Sequence, residues 1–212
     1  MAKGVYIGID GVAQKVKKLY IGVDGVARKV KKAYIGVDGV ARQFFSSGTL
    51  VVHPTAAMTA ETSNGYTATC STHNSTTYAA WKAFNKDYNN QYGWVSKAYS
   101  TDSSPYIQLK MPSAQKITKV SIANRTWTSY INGVIAATIQ GSTNGSSWTT
   151  ICTISGRSGA TSGLLTEHEC TDTGVAYQYV RIKPTNWTNR GASGGNSYVA
   201  IGEIYITCLV ED

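Results

Sequence analysis

The sequence predicts an all-β protein, a β-sandwich carrying a small N-terminal β-hairpin repeat region, and three observations lead there. Fourteen Tyr and five Trp stand among abundant Ser, Thr, Asn and Gly, the residue types of strands and their polar loops, and sustained helical periodicity is lacking. Short apolar–polar alternations recur between turn signals such as Asn132-Gly133 and Asn144-Gly145, the pattern of a sandwich. The first 46 residues also say one phrase three times: VYIGIDGVAQKVKK, LYIGVDGVARKVKK and AYIGVDGVARQFFS.

In each copy an Asp-Gly pair (Asp10-Gly11, Asp24-Gly25, Asp38-Gly39) separates two β-rich segments, the chemistry of a two-residue type I′ turn, so each repeat is read as one hairpin. Pairing across Asp24-Gly25 sets Val23 opposite Val26, Ile21 opposite Arg28 and Leu19 opposite Val30 on one face. The apolar alternation changes phase between hairpins, which places a bend or bulge at Lys31-Lys32. Hairpins of this size cannot bury an apolar face alone, so the region (residues 1–46) is expected to attach or oligomerise the chain, with a trimer as the working guess. It also concentrates charge. Residues 1–45 hold nine Lys/Arg against three Asp, whereas 46–212 hold eleven against nine. Neither a recognition helix nor a base-stacking module accompanies that charge, so nucleic acid is not the expected partner.

Residues 47–65, with one Pro and many small polar residues, are read as a linker, and 66–212 as the main domain. The start MAKGVYIGID lacks a secretory h-region and no run of eighteen apolar residues occurs, so neither export by that route nor membrane spanning is expected. Cys70, Cys152, Cys170 and Cys208 lack paired CxxC spacing, which argues against a sulfur-bound structural zinc and for buried free thiols. His53, His73 and His168 are isolated, and neither a nucleophile elbow nor a phosphate-binding glycine loop is present, so the chain is expected not to be an enzyme.

Strands are predicted at Tyr106–Lys110, Ile117–Asn124, Ala136–Gly141, Thr149–Ile154, Tyr177–Lys183 and Ile201–Cys208. Ile107 and Leu109, Val120 and Ile122, Val180 and Ile182, and Ile204 and Ile206 take the inward positions. The segments YAAWKAFNKDYNNQYGWVS, YIQLKMPSAQKITKVSIANR, TIQGSTNGSSWTTI, YQYVRIKP and AIGEIYI occur in the order and spacing of the coagulation factor V/VIII C-terminal type, or discoidin-like, domain. The resemblance covers roughly residues 55–210 and implies a galactose-binding-like β-jelly roll. The N-terminal phrase resembles short repeats near the start of structural proteins of phages and prophages of Gram-positive bacteria.

The loop AFNKDYNNQYGW offers oxygen ligands at short spacing, Asn85, Asp87, Asn89 and Asn90 with the carbonyl of Ala83, which suit a hard cation. The family resemblance implies a structural Ca²⁺ there, held by Ala83, Asn85, Asp87, Asn90 and Glu203. By that match Asn85 stands where the family usually has Asp and Asn90 where it usually has Thr; the first difference removes a charge and is expected to weaken the site. The alternative is a neutral hydrogen-bonded loop with Asp87 bridging to Lys86 or Lys82.

Carbohydrate is the ligand class the resemblance implies, and two loops carry the needed mixture of aromatic faces and fixed donors. One supplies Arg125, Trp127 and Tyr130, the other Asn186, Trp187 and Arg190, with Gly191, Gly194 and Gly195 opening its backbone. Trp94 and Trp148 are read as scaffold, and Trp127 and Trp187 as ligand-facing. Together these features predict a virion or phage tail-associated adhesin. Its jelly roll would bind host-surface or mucosal glycan while the repeats anchor it to other virion proteins after synthesis in the bacterial cytoplasm. The competing readings are a virion decoration or connector protein without a sugar ligand, and a carbohydrate-binding module from a larger enzyme.

Overall fold

The computed structural model describes residues 6–9, 12–16, 19–30, 32–37, 40–46, 48–88, 91–126, 131–190 and 197–211. The chain divides into two compact units, Met1–Leu50 with Leu209–Asp212, and Val51–Cys208.

In the first unit β1 (Tyr6–Ile9) pairs with β2 (Val12–Lys15), β3 (Leu19–Val23) with β4 (Val26–Val30), and β5 (Lys32–Val37) with β6 (Val40–Ser46), each as a two-stranded antiparallel sheet. Asp24 and Gly25 both take positive φ, 51° and 73°, the left-handed pair that a type I′ turn requires and that Asp-Gly adopts at least cost. The register is the predicted one: Val23 faces Val26, Ile21 faces Arg28 and Leu19 faces Val30. Within the third hairpin the β5–β6 register shifts between Ala33 and Tyr34, Phe44 of β6 being the extra residue; the bend expected at Lys31-Lys32 falls on Lys31, which lies outside the described residues. Tyr20, Ile21, Val26, Tyr34 and Ile35 are all more than half exposed, so these side chains of the second and third hairpins are uncovered.

The stretch expected to be a linker is structured. β7 (Gly48–His53) is the edge neighbour of the closing strand, β8 (Thr62–Ser63) pairs with β9 (Tyr66–Cys70), and His53, Pro54 and Met58 are buried. The second unit therefore begins at Val51 instead of residue 66. Polar residues that look like linker composition serve the Tyr66 hydroxyl, which bonds His53 Nδ1 at 2.7 Å and accepts the Thr55 amide at 3.2 Å.

Two 3₁₀ turns, Thr76–Tyr78 and Ala80–Phe84, lead to β10 (Trp94–Val95). They are followed by β11 (Ile107–Ala123), β12 (Val134–Ser142), β13 (Thr149–Ile154), β14 (Leu165–Glu169), β15 (Tyr177–Trp187), β16 (Ala200–Ile201) and β17 (Glu203–Glu211). The main sheet runs β13-β12-β15-β11-β17-β7 with β9 and β14 also on β11, and β10 pairs with β16. β11 joins the two layers of the sandwich. Its start, Ile107–Lys110, lies between β9 and β15, and its end, Lys119–Ala123, pairs with β14. The two predicted strands at 106–110 and 117–124 are thus one strand, and β9 and β14 are additions. Ile107, Leu109, Val120, Ile122, Val180, Ile182, Ile204 and Ile206 all enter the core with Trp94 and Phe84, as alternation predicts. Cys70, Cys152, Cys170 and Cys208 are free thiols.

Candidate functional site

One end of the second unit gathers the loops after β10, β11 and β15 and the start of β12. Gly133 N–H donates to Gly159 O at 2.9 Å, Thr188 N–H to Gly133 O at 3.1 Å, and Ala200 N–H to Asn132 O at 2.9 Å. Close approach at Gly133 demands glycine, since a Cβ there would stand 2.3 Å from Asn124 Oδ1 and 2.7 Å from Gly159 O.

Arg157 is the clamp of this end, and nothing local in the sequence marks it. It is buried, and it donates to Thr166 Oγ1 at 2.6 Å, to the carbonyls of Val134, Ile122 and Leu164 at 3.0, 2.9 and 2.7 Å, and to Asn124 Oδ1. Burial without a carboxylate acceptor pulls its pKa down to about 10; the bonded carbonyls and oxygens carry the charge instead. Asn124 Nδ2 in turn donates to Ser158 O and Thr161 O at 2.9 and 2.8 Å. The backbone leading into Arg125 is thereby fixed.

The predicted ligand residues separate into different roles. Trp127 and Tyr130 lie outside the described residues, as do Asn90 of the cation set, Asn89, and the glycines of 191–196. Arg125 is buried, its Nε donating to Gln91 O at 2.7 Å and its guanidinium lying 5.3 Å from the Tyr78 ring. It therefore ties loops together and is not a free donor. Asn186 is exposed on β15 opposite Ala136. Trp187, expected to face a ligand, is only 2% exposed and belongs to the core. Its role is corrected to scaffold. Trp148, expected in the scaffold, is half-buried and lies outside the core cluster, because it hangs off the turn between β12 and β13.

What Trp187 supports is a pair at the surface, one member half-buried and the other exposed. Tyr99, half-buried, packs against it with ring centroids 5.8 Å apart, and the exposed Arg190 sets its guanidinium 5.1 Å from Tyr99 and 5.3 Å from Trp187. Asn189, at φ 65°, turns the chain so that its amide donates to Asn132 Oδ1 at 3.2 Å. Tyr99 N–H is pinned to Ser197 O at 2.9 Å. The result is an aromatic surface with a guanidinium beside it, resting on a rigid base. Sequence reasoning missed Tyr99 because it lies in a loop with no alternation to mark it.

The predicted cation loop fits a cation at its buried end. Glu203 is fully buried, and neither carboxylate oxygen makes a hydrogen bond of ordinary geometry. Burial, together with the nearby Asp87 charge, drives its pKa up to about 8 despite opposing backbone amides of Lys86, Ile204 and Asp87. Such a carboxylate lacks a counter-charge that a cation would supply. Asn85 Oδ1 accepts the Asp87 amide at 3.0 Å, and the Lys86 ammonium binds Thr55 O at 2.9 Å. Among the described residues no three Asp, Glu, His or Cys side chains converge as a metal group, so the remaining ligands would be neutral oxygens.

Residues 67–203 match the model of the F5/8 type C domain. The chain belongs to the F5/8 type C family. Solved structures of the same fold include the CBM32-5 module from Clostridium perfringens in complex with GalNAc-β-1,3-galactose, at 17% identity and TM-score 0.53, covering 67% of this chain and 94% of that one. The family 32 carbohydrate-binding module of Clostridium perfringens NanJ, in complex with galactose, shares 16% identity at TM-score 0.50, covering 68% and 93%. The F5/8 type C domain of a Bacteroides fragilis protein shares 13% at TM-score 0.53, covering 72% and 96%. A search of curated protein sequences finds no match. At these identities the likeness is one of fold.

Proposed function

We propose that the F5/8 type C domain of this chain is a non-catalytic carbohydrate-binding module that takes galactose-type host-surface or mucosal sugars at the Tyr99–Arg190 pair. The observation that carries the reading is the half-buried Tyr99 ring with the exposed Arg190 guanidinium beside it, both held on the buried Trp187. A tyrosine ring matches the apolar face of a pyranose while the guanidinium donates to its hydroxyls. Structural neighbours with galactose-containing ligands support the class. Titration calorimetry with galactose and GalNAc-β-1,3-galactose tests it. Tyr99→Ala and Arg190→Ala are expected to lose binding while the domain stays folded, Arg190→Ala with its thermal midpoint unchanged and Tyr99→Ala with the modest drop that loss of a half-buried ring brings; retained binding in both would defeat the assignment.

The finer reading is a phage virion or tail adhesin in which the repeats anchor the domain to other virion proteins and form a trimer. The exposed Ile21, Val26 and Ile35 support it, because apolar hairpin faces in water call for a covering partner. Sedimentation of the full chain should show the oligomer, and Ile21→Glu with Ile35→Glu should release monomers. A monomeric wild-type chain that also fails to bind particle proteins would refute anchoring. Ca²⁺ on Glu203, Asp87 and the Ala83 carbonyl, with Asn85 and Asn90 completing the set, would serve as a structural ion tying the loop to the closing strand.

A further inference from the structure

The outer face of the sheet carries a second assembly of aromatic and cationic side chains. Arg181 lies six residues before Trp187 on β15, about 20 Å away along the strand. One row across the strands reads Thr69, Gln108, Arg181, Gln140, and the next reads Thr67, Lys110, Tyr179, Ser142. Their neighbours Ile107, Leu109, Val180, Ile182 and Ile139 all point into the core, so strand alternation turns Gln108, Lys110, Arg181 and Gln140 outward.

Within this face Arg181 is held rigidly. Its guanidinium lies 3.9 Å from the Trp148 ring and 5.2 Å from Tyr106, and Nε and Nη2 donate to Gln140 Oε1 at 3.0 and 2.8 Å. Its acceptor is a neutral amide, and no carboxylate pairs with it among the described residues. Desolvation holds it below the ordinary arginine value, with Tyr106 opposing. Of its five N–H groups, two serve Gln140, which leaves three for a ligand. Lys110, exposed and 5.8 Å from the Tyr179 ring, adds a second cation on the diagonal, and Lys183 a third along β15. Neither row contains an Asp or Glu. A planar guanidinium already fixed and stripped of part of its water is suited to a carboxylate, and cations spaced about 7 Å apart across neighbouring strands suit an extended polyanion.

We propose that this sheet face is a second carbohydrate surface, separate from the Tyr99–Arg190 end, which takes an extended acidic polysaccharide of the polyuronate class. Carboxylates sit on Arg181 and Lys110, and a sugar ring lies beside Trp148.

The test uses the full chain, with polygalacturonate as probe and neutral galactan as comparator, at about 0.15 M salt so that long-range attraction by the basic repeats is screened. The wild type is expected to bind polygalacturonate and to prefer it to galactan. Arg181→Gln with Lys110→Gln should weaken it by about ten-fold or more, with galactose binding intact. Lys110→Gln with Lys183→Gln alters only side chains outside the Gln140 contact and should weaken binding even where the Arg181 variant folds poorly. Tyr99→Ala should leave polygalacturonate binding unchanged, so failure of the galactose site and failure of this one are separable. Absence of binding, equal binding of galactan, or loss on Arg28→Gln with Lys29→Gln in the repeats but not on the sheet variants would overturn the assignment.

Discussion

Replacing Trp187 by Ala separates a scaffold tryptophan from a ligand platform. The indole is 2% exposed and packs with Tyr99 and the core. A buried aromatic removes about 150–250 Å² from water, which at about 25 cal/mol per Å² corresponds to about 4–6 kcal/mol. One term opposes: Nε1 is buried without an acceptor, so its removal returns on the order of 1 kcal/mol. The net cost is about 3–5 kcal/mol, in the range of large-to-small core changes, and the thermal midpoint should fall on the order of 10 °C for a domain of this size. Trp187→Phe, which keeps the ring and drops the orphan N–H, should lose much less. Urea unfolding followed by tryptophan fluorescence and far-UV circular dichroism gives the stability, and calorimetry with galactose gives binding on the folded fraction. A Trp187→Ala protein of wild-type stability that has lost the sugar would refute the reasoning and return Trp187 to the ligand.

Three further outcomes are expected. In metal-free protein Glu203 keeps its proton in the folded state between its ordinary value of 4.5 and about 8. The folded state then binds more protons than the unfolded one, so this contribution to stability is complete below the lower value and lost as pH rises to the upper, at about 1.4 kcal/mol per pH unit. Calcium should flatten that slope and Glu203→Gln should abolish both the slope and the calcium response; an unchanged pH profile in Glu203→Gln would exclude this carboxylate as the source. Gly133→Ala should cost about 1–3 kcal/mol, because its Cβ would collide with Asn124 Oδ1 and Gly159 O while Arg157 keeps Asn124 from yielding; a neutral midpoint in thermal melts would show that Arg157 does not hold the loop in place. Trp94→Ala should cost about 3–5 kcal/mol and Trp148→Ala about 1–2, since the first is fully buried and the second half-buried; equal denaturation midpoints for the two would contradict that division.

The sequence by itself determined the features that depend on near neighbours along the chain. Asp24-Gly25 fixes its hairpin because only those two φ values and a local register are involved, and Ile107, Leu109, Val180 and Ile182 enter the core because alternation follows from the pleat. The order of five such segments was enough to identify the family and to bring Glu203 under suspicion. Only the tertiary structure decided which aromatics carry function. Along β15 the even positions Val180, Ile182 and Pro184 are buried, and that parity would turn Trp187 outward. The pairing with β12 slips at Val134/Ala136 and again at Ala136/Ala137, and the slip reverses the parity and seats Trp187 in the core. The same change left the surface role to Tyr99 and Arg190, which lie 91 residues apart in sequence and meet only where the loops after β10 and β15 close on one another. Arg157 was invisible for a related reason: four of its five acceptors lie on other segments of the chain or on backbone carbonyls, and a side chain that binds backbone leaves no pattern of partner residues to read.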